Sequence, residues 1–193
     1  MKRLTVTVLA VFAVQASVAS GAELVSEYTR LDQDVDCTVI ERAAEGEGEW
    51  ADLVCPGIAG YPYVIRYGDG RETVTYGFTG ENAMISFAPF NYSNGTVEWR
   101  MRTEGDTRRP VAAIQRWFLA DIDGNWATQI LVVSKVAQPE PDPEACVVGY
   151  VSAADGASAN VRARLLADAA ESFVCGSDSV TVEPAIAEFV SAQ

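Results

Sequence analysis

The sequence predicts an α+β fold: a mainly antiparallel β-sheet carrying a C-terminal strand–helix–strand unit, with two disulfides. Three observations carry this reading. From Cys37 to Val136 the apolar runs are short, rich in Val, Ile, Tyr and Trp, and largely alternate with polar residues, the period of a strand. Between Ser158 and Ala170 the apolar residues instead recur at helical spacing. Four cysteines, Cys37, Cys55, Cys146 and Cys175, fall as two well-separated pairs.

The elements follow in order. Residues 35–41 and 50–55 are β-prone runs separated by the acidic, Gly-containing stretch RAAEGEGE. Residues 62–67 and 73–78 flank Gly-Asp-Gly, a hairpin signal because Asp-Gly tolerates positive φ. Residues 96–102 alternate Val97, Trp99 and Met101 against Glu98, Arg100 and Arg102, which predicts one buried and one solvated face. Residues 111–120 and 126–136 form a second hairpin across DIDGN. The helix, 158–170, places Val161, Leu165, Leu166 and Ala169 on one face and Arg162, Arg164, Asp168 and Glu171 mostly away from it. Residues 173–175, then GSDS, then residues 180–182 follow, and a short helix is predicted over 184–190.

The chain opens with Lys2 and Arg3, then an apolar stretch over residues 4–14 broken only by Thr5 and Thr7. Small residues accumulate next: Ala16, Ser17, Ala19, Ser20, Gly21 and Ala22. That is the three-part layout of a secretory signal peptide over residues 1–22, cleaved near Ala22. The stretch is shorter than the about 20 apolar residues of a membrane span, and no later segment is apolar enough, so no membrane insertion is expected after the signal is removed. The expected organisation is a β-rich core over residues 23–137, a Pro/acidic linker (QPEPDPEA) over 138–145, and the strand–helix–strand unit over 146–193, packed on the core as one domain.

Taking Lys2 and Arg3 from the 14 basic residues leaves 12 against 27 acidic ones, a net charge of −15. Such a surface repels nucleic acid and anionic lipid, so no nucleic-acid partner is expected. Four cysteines permit three connectivities; neighbour pairing, Cys37–Cys55 and Cys146–Cys175, is favoured in an exported chain. No Cys-x-x-Cys spacing is present to hold zinc or to form a thioredoxin-type redox pair.

The chain contains no histidine. Ser-His-Asp and Cys-His nucleophile systems and histidine-ligated metals are therefore excluded within it, and no cofactor is expected. Carboxylate chemistry and hard-cation binding remain. DIDGN resembles the opening of a calcium loop, but Gly124 comes too early and position twelve is Val132. Asp32, Asp34 and Asp36 alternate and would share a face in an extended chain. The most distinctive stretch is CPGIAGYPYVIRYGDGRETVTYGF, where Gly57 and Gly60 permit unusual backbone angles and Pro56 and Pro62 stiffen the turn. Tyr61, Tyr63 and Tyr67 fall on one face of an extended segment there and are the candidate binding residues, tyrosine pairing an apolar body with a polar tip. Trp50, Trp99, Trp117 and Trp126 read as core, and Asn91 and Asn94 match the glycosylation sequon only formally.

CPGIAGYPYVIRYGDGR, VEWRMR followed by RRPVAAIQRW, and the ending CVVGYV…NVRARLLADAAESFVCG together resemble a family of small, exported, uncharacterised proteobacterial proteins. The resemblance implies periplasmic residence and the neighbour cysteine pairing, and no activity. The leading expectation is a non-enzymatic periplasmic binding or interaction protein, its partner an envelope protein or glycan. The alternatives are a carboxylate-based hydrolase of envelope glycans and, less favoured, a calcium-binding protein through Asp121, Asp123 and Asn125.

Overall fold

Alternating apolar residues build two sheets that face each other across one core. The computed structural model describes residues 23–78, 85–140 and 143–190. The expected signal segment, residues 1–22, lies outside them, as do residues 141–142 of the expected linker. The larger sheet holds six strands: β1 (Glu23–Arg30), β6 (Asn91–Glu104), β7 (Thr107–Leu119), β8 (Thr128–Lys135), β9 (Val147–Ser152) and β10 (Thr181–Val182), adjacent in that order. The smaller holds β2 (Thr38–Arg42), β3 (Trp50–Ile58), β4 (Tyr61–Gly68) and β5 (Arg71–Tyr76), also in order. All pairs are antiparallel except β9 with β10. The predicted α+β class with its antiparallel sheets is what forms.

Between the sheets lie Tyr63, Ile65, Val74 and Tyr76 from one side and Val97, Trp99, Met101, Trp117, Ile130 and Val132 from the other. Two of the four aromatic polar tips are paired, while Tyr63 Oη and Trp117 Nε1 have no hydrogen-bond partner among the described residues. Tyr76 Oη donates to Gln115 Oε1, and Trp99 Nε1 donates to Thr29 Oγ1 at 2.8 Å. Burial pushes the Tyr76 hydroxyl well above the ordinary tyrosine range, with Tyr63 and Glu72 adding to the shift. It stays a neutral donor.

The third layer is α2 (Ala157–Ala169), which lies on the outer face of the larger sheet. The strand–helix–strand unit is β9, α2 and β10. Cys146–Cys175 closes it across 29 residues, and Cys37–Cys55 ties the approach to β2 onto β3 across 18. On the chain-entropy model each contributes about 3–4 kcal/mol. β8 and β9 are neighbours in the sheet, so the Pro/acidic segment connects adjacent strands. The predicted tail helix forms as a 3₁₀ turn (Pro184–Ile186) leading into α3 (Ala187–Val190), with Ile186 buried against the main core.

Four local expectations need correction. β1 carries a strand that the pattern did not announce. Residues 33–36 form a helical turn, α1 (Gln33–Asp36), ahead of β2, because Asp32 accepts from Asp34 N–H and Asp36 accepts from Asp32 N–H. Asp32, Asp34 and Asp36 therefore do not share an extended face. The buried side of α2 is Ala159, Ala163, Ala167 and Ala170, with Val161 and Leu165 outside. Small side chains let the helix lie close on the sheet, and only Leu166 of the expected face packs there. Finally, Glu98 and Arg100 are each only 8% exposed, because the flank of α2 covers the face read as solvated.

Candidate functional site

The hairpin of β4 and β5 turns through Asp69 and Gly70 at φ 52° and 68°, the positive values that Asp-Gly supplies. A Cβ at Gly70 would lie 2.9 Å from a ring carbon of Phe90, so the turn admits Phe90 only because that residue is glycine. Arg71 then fastens the chain before β6. Its Nε donates to the Ala88 carbonyl at 2.8 Å, and its guanidinium stands 4.9 Å over the Phe90 ring. Asn91, buried, donates to the Phe87 and Pro89 carbonyls at 3.0 and 2.8 Å and accepts from Glu72 N–H at 3.1 Å. Glu72 in turn accepts from Ser93 N–H and Oγ, both at 2.7 Å. These bonds lock one end of the sandwich, and Asn91 is fully engaged in them.

Aromatic side chains stand on that locked frame. Tyr92 stacks on Phe118 at 4.8 Å, and Trp126 meets Tyr92 edge to face at 5.0 Å. Tyr67, Tyr92 and Trp126 are 44%, 39% and 43% exposed and line one groove of about 410 Å³. Gln33, Asp34, Arg71 and Glu72 supply polar groups on its walls. Arg71 also borders a second groove of about 490 Å³, lined by Phe90, Ile122 and Phe189.

The three tyrosines singled out by sequence do share a face of β4, but that face is the one packed on the larger sheet. Tyr63 is fully buried, and burial pushes its hydroxyl well above the ordinary range. Tyr61 and Tyr67 emerge at opposite ends of the strand. Tyr61 lines a separate cleft of about 810 Å³, where its hydroxyl donates to Gln138 Oε1 at 2.8 Å and its ring meets Phe78 at 5.2 Å. Of the three, only Tyr67 belongs to the aromatic groove. The pattern leaves Tyr92 unmarked, and Trp126 reads as core by type, whereas both stand at the groove. The available signal was their nearness to turns: Trp126 follows DIDGN, and Tyr92 follows Pro89-Phe90.

The carboxylates are mostly engaged. In the large cleft Glu144 pairs with Lys135 at 2.7 Å, and Glu171 pairs with Arg102 at 2.5 Å and with Arg109. Asp121 accepts from Asp123 and Asn125 N–H at 2.9 and 2.8 Å. Those bonds hold its carboxyl below the usual range and shape DIDGN as a hairpin turn. Glu98 and Glu183 are also held low, the direction opposite to that of a general acid. Among the described residues no cluster of three Cys, Asp or Glu side chains is placed to hold a metal ion.

The chain matches no protein-family model, and neither a curated protein nor a solved structure is significantly similar to it. What defines it is the architecture itself: a disulfide-braced β-sandwich with one helix on its outer face and an aromatic groove at one end. No helix among the described residues is long and apolar enough to cross a membrane.

Proposed function

We propose that the protein is an exported, periplasmic, non-enzymatic binding protein that recognises an envelope glycan through the groove of Tyr67, Tyr92 and Trp126. One observation carries this reading: three aromatic side chains stay about two-fifths exposed around a single groove while the backbone beneath them is fixed. Fully burying each such ring would contribute about 1.5–3 kcal/mol, so three left open together mark a contact surface. A sugar ring presents an apolar C–H face and a rim of hydroxyls. Aromatic rings meet the first; Gln33 and Asp34 meet the second. The signal-like leader and the two disulfides support residence in an oxidising compartment.

The test is calorimetric titration of the mature chain with chitotetraose, a neutral N-acetylglucosamine tetramer, while the Trp126 indole resonance is followed. Binding with a shift at Trp126 is expected. Tyr92→Ala or Trp126→Ala should each weaken it about tenfold or more, from the lost ring contact. Absence of binding, or unchanged affinity in the double variant, overturns the glycan reading.

A further inference from the structure

We infer that the glycan carries an acidic group, held by Arg30 and Arg116 in a groove beside the aromatic site; this rests on the glycan reading above. Acids outnumber bases more than two to one after the leader, so an arginine left without an acid is unexpected. Among the described residues every basic side chain forms an ion pair except Arg30, Arg42 and Arg116. Two of those three line one groove of about 270 Å³.

Arg164 lines the same groove, and its only carboxylate is Glu98. Glu98 is already engaged: Arg164 Nε and Nη2 donate to its two oxygens at 2.5 and 3.2 Å, and Ser26 Oγ donates as well. Three guanidinium groups thus face one neutralised carboxylate. Arg116 uses one N–H on Gln129 Oε1 at 2.9 Å, and Arg30 reaches Thr96 Oγ1 at 3.5 Å. Neither fork forms another hydrogen bond or an ion pair among the described residues. Planar guanidinium forks match carboxylate and phosphate oxygens, with Asn94 and Asn160 as further polar neighbours.

Strand β7 links the groove to the aromatic site, because Phe118 stacks on Tyr92. Arg116 and Phe118 are two residues apart on β7 and point the same way, about 6.8 Å apart along the strand. Phe118 pairs across the sheet with Tyr92 and also with Gln129, the residue that holds Arg116. A sugar stacked on Tyr92 therefore places a charged substituent one row away, against Arg116. In a strongly acidic protein this local positive pocket selects an anionic ligand that the rest of the surface repels.

The first arm of the test follows arginine Nε–H resonances in the full mature chain during titration with glucuronate, inorganic phosphate and glucose. Glucuronate or phosphate should shift Arg30 and Arg116 and leave Arg42 in place, and glucose should shift none. Glucuronate alone points to a carboxylate-bearing sugar and phosphate alone to a phosphorylated one. No shift at Arg30 and Arg116, or an equal shift at Arg42, overturns the proposal. The second arm compares chitotetraose with a hyaluronan tetrasaccharide, which alternates N-acetylglucosamine and glucuronate. About tenfold tighter binding of the acidic sugar is expected, abolished by Arg30→Gln with Arg116→Gln. Equal affinities in the wild type overturn the proposal. If the free anions shift the arginines while neither tetrasaccharide disturbs Trp126, the anion site stands and the aromatic-groove reading falls. Neither arginine forms an ion pair, so the double variant should melt with the wild type.

Discussion

Arg100 Nε donates to Asp168 Oδ1 at 2.7 Å, joining the middle of β6 to the C-terminal half of α2. This is the central rung of a ladder, with Glu98–Arg164 on one side and Arg102–Glu171 on the other. Same-face residues on a strand recur about every 6.8 Å, and successive turns of a helix about every 5.4 Å. The two repeats stay in step over three rungs. Signs run minus, plus, plus along β6 and plus, minus along α2, with a further minus at Glu171 just past its end. Sliding the helix one rung either way sets Glu98 against Asp168 or Arg100 against Arg164. An alanine face that packs equally well at several offsets thus gains a defined register.

The Glu98–Arg164 rung is expected to matter for stability. Glu98 is buried, so Arg164→Ala strands a carboxylate and should cost about 3 kcal/mol. Removing both with Glu98→Gln and Arg164→Ala should cost less than the two single changes added together. A double-mutant cycle in urea measures the difference. Strict additivity would show that the pair couples nothing.

Acid should dissolve the same rung. Burial pushes the Glu98 carboxyl up, but hydrogen bonds from Arg164 and Ser26 and the Arg164 charge outweigh it and hold the group below its ordinary value. A group lowered on folding contributes stability above its unfolded value, about 4.3, and loses it as pH falls through the folded value. Glu183, held low by Arg162, acts in the same direction. Unfolding free energy should fall below about pH 4.3, and Glu98→Gln should make that acid limb shallower. Parallel limbs in wild type and variant would remove Glu98 from the account.

Much of the fold was legible because its signals are local. Asp69-Gly70 announces a hairpin through its own φ preferences, and Val97, Trp99 and Met101 announce a buried face by alternation. The site was less legible because it depends on which face meets which layer. Tyr61, Tyr63 and Tyr67 share a face, as their spacing says, yet spacing cannot tell that Tyr63 meets the opposite sheet while Tyr67 reaches a groove. Glu98 and Arg100 look solvent-bound by type and become buried because a helix about 65 residues later supplies their counter-charges. Trp126 looked like core by type; its loop leaves it at the rim beside Tyr92.

The alanine face of α2 gives the sharpest test of that lesson. A helix read by hydrophobicity alone would bury Val161 and Leu165; the structure buries Ala159, Ala163 and Ala167 and exposes both larger residues. Ala163 has no free surface, so Ala163→Leu must push α2 off β7, β8 and β9 and stretch the ladder to β6. Overpacking of this kind costs about 1–3 kcal/mol. Leu165→Ala removes an exposed side chain at a helical position and should change stability by no more than about 0.5 kcal/mol. Thermal melts of the two variants decide between the faces. A large loss from Leu165→Ala with little from Ala163→Leu would mean that α2 packs on its other side.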